Sequence, residues 1–218
     1  ILGDNKQLPP IGVGNLFTDI LNEDNNIPKQ MLTKIHRQAA RSAIISVSAD
    51  VRNRKQIVSP NEDGEETLGE LQDLTLCAYQ DKSQIFERVI EAFKSEYEKH
   101  PVIRDIQIVV PMKERGDLSQ LTLNNEIQKI VNPSDRKYVQ IGKKFVIKVG
   151  DKVINRKNNY KVFDVEYKPT QVFNGSMGIV EEIYDDYMII DFFDIGKLRI
   201  TSDLYIGLQL AYAITCHS

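Results

Sequence analysis

Residues 144–164 read KFVIKVGDKVINRKNNYKVFD, and the alternation of apolar and turn-forming residues in this stretch decides how the chain folds. Two short β-rich runs, KFVIKV and DKVINRK, are cut by Gly150-Asp151 and Asn158-Asn159. The same texture continues through GIVEEIY, YMIIDFF and KLRIT, divided by Asn174-Gly175 and Asp185-Asp186. β-branched and aromatic residues suit a pleated, half-buried surface, whereas Gly, Asn and Asp supply the backbone angles of tight turns. Turn signals at that spacing predict a small barrel or sandwich from about Tyr138 to Leu204. Its charge is split: lysines and arginines from Arg136 to Lys161 crowd the first half, and acids from Glu181 to Asp194 the second.

Toward the N-terminus the periodicity changes. Ile35, Ala39, Ala43, Val47 and Val51 recur every four residues, which predicts a helix through TKIHRQAARSAIISVSADVRNR with a basic end that suits its dipole. VSPNEDGEETLGE predicts an acidic loop, and Ile85, Val89, Phe93 and Tyr97 mark a second helix through SQIFERVIEAFKSEYEK. DIQIVVP has the continuous apolar character of a buried strand in a parallel sheet, and LTLNNEIQKIVN predicts a helix ending at Asn132-Pro133. This order suggests part of an α/β layer structure. Because LYIGLQLAYAITCHS returns to an apolar run, the β-rich block reads as an insertion, with the α/β layer resuming after it.

Composition bounds the function. With 218 residues, 41% hydrophobic and 27% charged, the chain can bury a core without staples. A net charge of -3 argues against a uniformly basic nucleic-acid coat but leaves room for a local basic surface. Cys77 and Cys216 lack metal-ligand spacing and suit reduced thiols in a cytoplasmic protein. No apolar run approaches the ~20 residues that span a bilayer, so no membrane partner is expected. His36, His100 and His217 are too far apart for a local metal motif, and no metal site is expected. There is no G-x-S-x-G elbow and no G-x-x-x-x-G-K-[ST] phosphate loop, and GVGNLF lacks the third glycine of a dinucleotide fingerprint.

Several short stretches carry two readings each. In GDNKQLPP, Asp4 can close a simple Asx turn; alternatively Asp4 and Gln7 lie at the carboxyl edge of a strand, where open α/β sheets bind ligands, and report on a phosphate or its metal-bound water. Arg37 of IHRQ is either solvated or reaches a transferred phosphoryl group with its planar fork. VVPMKERGDLSQLTLN is a strand-loop-helix junction turning at Gly116, whose functional version aims Lys113 and a helix start near Ser119 at a nucleic-acid phosphate. Lys152, Arg156 and Lys157 form either a solvated face or a track for a phosphate backbone, on which neutralised phosphates release counterions. Asn174-Gly175 reads as a β-turn with positive φ, and Thr215 with His217 as a capped helix start or a pair of phosphate ligands.

Taken in order, GDNKQLPPIGVGNLFTDI, LTKIHRQAARSAIISVSADVR, VVPMKERGDLSQLTLNNEIQKIVNP, VGDKVINRKNNY, VFNGSMGIV and LAYAITCHS resemble the C-terminal half of a superfamily 1 DNA helicase of the RecD-like group, which includes the exodeoxyribonuclease V alpha chain. The resemblance implies an α/β fold: a partial RecA-like second motor domain with an inserted SH3-like β-barrel. Residues 1–26 would end the first motor domain with helicase motif III, 27–137 begin the second, 138–203 form the barrel, and 204–218 resume the second domain within motif V.

Carried over residue by residue, the resemblance implies that Asp4 and Gln7 face the ATP γ-phosphate and that Arg37 is an arginine finger, with Gln7 and Arg37 touching nucleotide. Thr215 and His217 would begin motif V and contact single-stranded DNA, and Asn174 would sit in the barrel's turn. Ser119 stands where relatives often have glycine, and Ser218 follows His217 where lysine is usual. The implied parent is an ATP-dependent, 5′ to 3′ DNA helicase of repair or recombination that uses ATP and Mg²⁺. Its partners would be single-stranded DNA and, where it works in a nuclease complex, that complex's other subunits. Without a phosphate loop the chain itself is expected to bind no cofactor tightly and to be inactive alone. Two alternatives stand beside this: a related superfamily 1 RNA helicase, and a non-enzymatic nucleic-acid or protein-binding module.

Overall fold

The computed structural model describes residues 14–22, 27–30, 41–59, 62–133 and 136–216, so Asp4, Gln7, Arg37 and His217 lie outside the described residues. Contacts divide the chain into two units, Ile1–Gln80 and Asp81–Ser218.

In the first unit, α1 spans Leu16–Asn22 and α2 spans Ala43–Arg52. The Asp73 carboxylate holds the start of α2, accepting from Ser42 Oγ at 2.5 Å and from the Ala43 N–H at 2.9 Å. The Ser42 bond, chief among these, lowers the Asp73 pKa. The expected acidic loop is corrected here. Gly64–Leu68 is a strand, β1, paired antiparallel with β2 at Leu74–Ala78. Glutamate is a poor strand former, so the sequence gives little local sign of it. The pairing rests on cross-strand contacts instead: Thr67 and Thr75 hydroxyls are 2.9 Å apart, and Tyr79 donates to the Glu65 carboxylate.

The second unit opens with α3, Lys82–Lys99, whose N-cap Asp81 accepts from the Ser83 N–H at 2.9 Å. A 3₁₀ turn at Ile103–Asp105 leads to β3 at Ile108–Val110, and Ser119 then caps α4, Gln120–Val131. The hairpin of β4, Tyr138–Ile141, and β5, Phe145–Lys148, comes next. The remaining strands are β6 Lys152–Asn155, β7 Asn159–Asp164, β8 Pro169–Val172, β9 Met177–Ile183, β10 Tyr187–Phe192, β11 Gly196–Thr201, β12 Leu208–Leu210 and β13 Ala213–Thr215.

Seven of these make one sheet in the order β12-β6-β9-β10-β11-β7-β8, antiparallel at every step. β13 pairs in parallel with β3, Ala213 opposite Ile108, so the antiparallel block lies in sequence between two neighbouring parallel strands. The block runs on to Leu210, past residue 203. DIQIVVP yields only three strand residues, and Val109 is 57% exposed, so this strand is not buried on both faces. β13 is its one pairing partner among the described residues.

One core cluster joins helices to sheet, Phe93 of α3 and Ile127 of α4 with Ile147, Val153, Val180, Ile190 and Leu208, and a second gathers Val110, Leu123 and Ala213. Each such side chain contributes about 1.5–3 kcal/mol on burial. Packing leaves no room at Gly178, where an added Cβ would sit 2.5 Å from the Asp191 carbonyl oxygen. Gly178→Ala should therefore cost roughly 1–3 kcal/mol, read as a lower urea midpoint; an unchanged midpoint would contradict this packing. Among the described residues, no helix is long and apolar enough to cross a membrane.

Candidate nucleic-acid interface

Adjacent residues of an extended chain point to opposite faces, and Asp151-Lys152 use this to join the sheet to the rest of its unit. Asp151 is wholly buried. One carboxylate oxygen accepts from Asn132 Nδ2 at 2.7 Å and the Tyr212 hydroxyl at 3.0 Å; the other accepts from the Lys148 N–H at 2.7 Å and from Gln128 Nε2. Burial raises the carboxyl pKa, with the donors pulling the other way. Facing α4 in this way, Asp151 ties β6 to two amides one helical turn apart.

Lys152 corrects the sequence reading. It is 1% exposed, and its ammonium donates to the carbonyls of Ile103 at 3.1 Å, Arg104 at 3.4 Å and Ile106 at 2.8 Å. A lysine at the first position of a strand looks solvated in sequence, but this one is spent on the backbone of the 3₁₀ turn. It offers nothing to a phosphate.

Burial pushes the Lys152 pKa down to about 8 from 10.5, with Asp105 opposing. Between these values the unfolded chain binds more protons than the folded one, so stability contributed through Lys152 rises with pH. The urea midpoint of the wild type should therefore gain on that of Lys152→Met from about pH 8 to 10.5 and run parallel to it below. A difference that stays flat across the window would contradict the buried ammonium.

Other predicted residues do converge, at one end of the sheet. Asn155 Nδ2 donates to the carbonyls of Lys157 at 2.6 Å and Phe173 at 2.8 Å, and the Gly175 N–H donates to the Asn155 carbonyl at 2.8 Å. The Asn174 N–H donates to Asn158 Oδ1 at 2.8 Å, and the Arg156 N–H to the Gly207 carbonyl at 2.7 Å. Three separate segments are thus fastened into one rim. In the turn at Asn174-Gly175 only Gly175 has positive φ, +93°, the requirement of a type II turn.

Lys157 and Asn174 are exposed on this rim; Arg156 is half-buried, its Nη1 buried without a partner. Beside them stand two aromatic side chains that sequence reasoning missed. Tyr160 and Phe173 are 64% and 43% exposed and meet edge to face with ring centroids 6.2 Å apart. The β7–β8 register shifts between Asn159 and Val162, which turns Tyr160 out of the ladder. The usable signal is the placing of each aromatic against a turn, NNY and VFNG, the first of them within the basic stretch. Exposed rings next to cations can stack bases and attract their phosphates.

The rest of the basic stretch is partly spent. Lys144 pairs with Glu114 at 2.6 Å and Lys137 with Asp185 at 3.3 Å. Lys113 is exposed in the loop after β3, and Thr215 is half-buried in β13 opposite Val110, on elements other than those that form the rim. Among the described residues, no group of three or more His, Cys, Asp or Glu could hold a metal ion.

Residues 123–192, from within α4 to the end of β10, match the family model described as the SH3 domain of ATP-dependent RecD-like DNA helicases. An uncharacterized protein of Methanocaldococcus jannaschii, MJ1519, is 29% identical over 99% of this chain, which spans 22% of that relative's length. Among solved structures, unliganded Pif1 from Bacteroides sp is 15% identical, with a TM-score of 0.33 over 52% of this chain and 42% of that one. Pif1 from Bacteroides sp in complex with ADP-AlF4 gives 14% identity and a TM-score of 0.30 over 53% and 32%. Within this chain, residues 123–192 are therefore similar to the SH3 domain of the ATP-dependent RecD-like DNA helicases.

Proposed function

We propose that this chain is part of an ATP-dependent superfamily 1 DNA helicase and that its antiparallel unit steers single-stranded DNA along the rim of Lys157, Tyr160, Phe173 and Asn174. The observation that carries this reading is the exposed Tyr160–Phe173 pair beside Lys157, inside the segment that matches the helicase SH3 family. Stacking on aromatic side chains tolerates any base, as a translocating strand requires, and the cation attracts the phosphates between stacked bases.

In the same proposal, β3, β13, α3 and α4 belong to a RecA-like second motor domain, to which Thr215 and His217 bring the start of motif V. Asp4 and Gln7 would read the γ-phosphate, and Arg37 would stabilise the charge of its transfer, which elsewhere is worth ~10³ to 10⁵ in rate. ATP and Mg²⁺ would supply that chemistry when held by a phosphate loop, and the 218 residues contain none. The chain alone therefore hydrolyses no ATP and unwinds nothing. The work proposed for the whole protein is 5′ to 3′ translocation in cytoplasmic DNA repair or recombination, as in the exodeoxyribonuclease V alpha group.

Matched DNA and RNA oligonucleotides test this reading. Tighter binding of single-stranded DNA, weakening as salt rises, is the expected result; equal or tighter binding of RNA would favour the RNA helicase alternative, and no binding of either would refute the proposal.

A further inference from the structure

β7 and β9 both begin at the rim, so the turns that follow them lie at the other end of the antiparallel sheet. Those turns carry Tyr167 and Tyr184, and a second aromatic cluster is assembled there. The Arg199 guanidinium of β11 lies over the Tyr167 ring at 4.1 Å and over the Tyr187 ring of β10 at 4.7 Å. Tyr187 in turn stacks on Tyr184 with ring centroids 4.6 Å apart, and the Tyr184 hydroxyl donates to the Glu182 carboxylate. Four planar groups from three strands' ends are thus held in fixed orientation.

The core has little use for the outer two rings, since Tyr167 is 67% and Tyr184 39% exposed. Tyr167 also holds φ at +64°, a left-handed conformation that a bulky residue rarely adopts and glycine takes freely. A ring kept at such a position with most of its surface in water is not kept for stability, which points to a use at the surface.

Charge selects the partner. From Glu181 to Asp203 the chain carries seven acids against two cations, Lys197 and Arg199. Both cations are engaged, Lys197 with Glu181 at 2.8 Å and Arg199 with the rings, and in the turn after β7 Lys168 pairs with Glu166 at 2.5 Å. Asp185 and Asp186 are exposed in the turn beside Tyr184, and the contact of Asp185 with Lys137 at 3.3 Å is open to water. A phosphate backbone is repelled by such a surface, which sets this cluster apart from the rim. A cationic partner is attracted, and Arg199 shows which cation these rings accept. A planar guanidinium stacks flat on an aromatic face, whereas an ammonium is a compact, strongly hydrated point charge.

We propose that this end of the sheet docks an arginine-bearing segment of another protein, its guanidinium groups packing on the exposed rings of Tyr167 and Tyr184 while Asp185 and Asp186 offset their charge. The docking surface does not depend on the strand path along the rim.

Fluorescence anisotropy of the full chain tests this with a labelled peptide of three arginines spaced by serines, beside the same peptide carrying lysine or citrulline in place of arginine. The arginine peptide should bind most tightly. Tyr184→Ala and Tyr167→Gly should each weaken it about two- to fivefold, and Asp185→Asn with Asp186→Asn should weaken it and flatten its salt dependence. Tyr167→Gly relieves the positive φ, so its loss of binding is not a loss of fold. All these variants should bind single-stranded DNA as the wild type does. No binding of the arginine peptide by the wild type, equal affinity in both tyrosine variants, or equal affinity for the lysine or citrulline peptide would overturn the assignment. DNA affinity that falls together with peptide affinity would overturn it in favour of nucleic acid, and self-association in sedimentation that the tyrosine variants abolish would overturn it in favour of a second copy of this chain. A wild type that binds the arginine peptide and no DNA would refute the strand reading alone.

Discussion

Asp151→Ala should lower the unfolding free energy by roughly 2–5 kcal/mol, because four donors lose the buried acceptor they share. The substitution leaves Asn132 Nδ2, Gln128 Nε2, the Tyr212 hydroxyl and the Lys148 N–H without their shared acceptor. Each orphaned donor costs about 1–3 kcal/mol before relaxation. Asp151→Asn should also be destabilising, because its amide places N–H groups where two donors already converge. Urea denaturation followed by circular dichroism measures both. Loss should appear in one cooperative transition, since core residues of α3, α4 and the sheet share one cluster. A midpoint within experimental error of the wild type for Asp151→Ala would show that the carboxylate does not hold the sheet to α4.

Removing both rim aromatics should have the largest effect on binding. Tyr160→Ala with Phe173→Ala takes away two exposed stacking surfaces, each worth about 1–3 kcal/mol per base. Single-strand affinity should fall by at least about tenfold, with little change in stability, because neither ring belongs to the buried core. The salt slope should stay nearly constant, since no phosphate-facing cation is lost. Unchanged affinity in the double variant would show that the aromatic pair is not part of a strand path.

The sequence was most legible where local pattern and tertiary contact agree. Ile85, Val89, Phe93 and Tyr97 predicted a helix, and α3 forms there with Phe93 buried. Turn dipeptides located the breaks before β6 and β9, where Gly150 and Gly175 take positive φ, and Asp185-Asp186 located the break between β9 and β10. Misses arose where the deciding partner is distant in the chain. β1 is rich in glutamate and reads locally as a loop, since its pairing with β2 has no local signature. Lys152 looked like a surface cation because its three carbonyl partners lie more than forty residues away. Tyr160 and Phe173 are thirteen residues apart in sequence, and only the pairing of β7 with β8 makes them neighbours.

The claim that DNA runs along the rim is tested most directly by the salt dependence of single-strand binding in three proteins: wild type, Lys157→Ala and Lys152→Met. Lys157 is exposed on the rim and Lys152 is buried beneath the sheet. Lys157→Ala should reduce the slope of log affinity against log salt by about 0.7, the value of one phosphate contact on a single strand. Lys152→Met should keep the wild-type slope while folded. A slope reduced by Lys152→Met and untouched by Lys157→Ala would contradict both the position of the strand and the role given to the buried lysine.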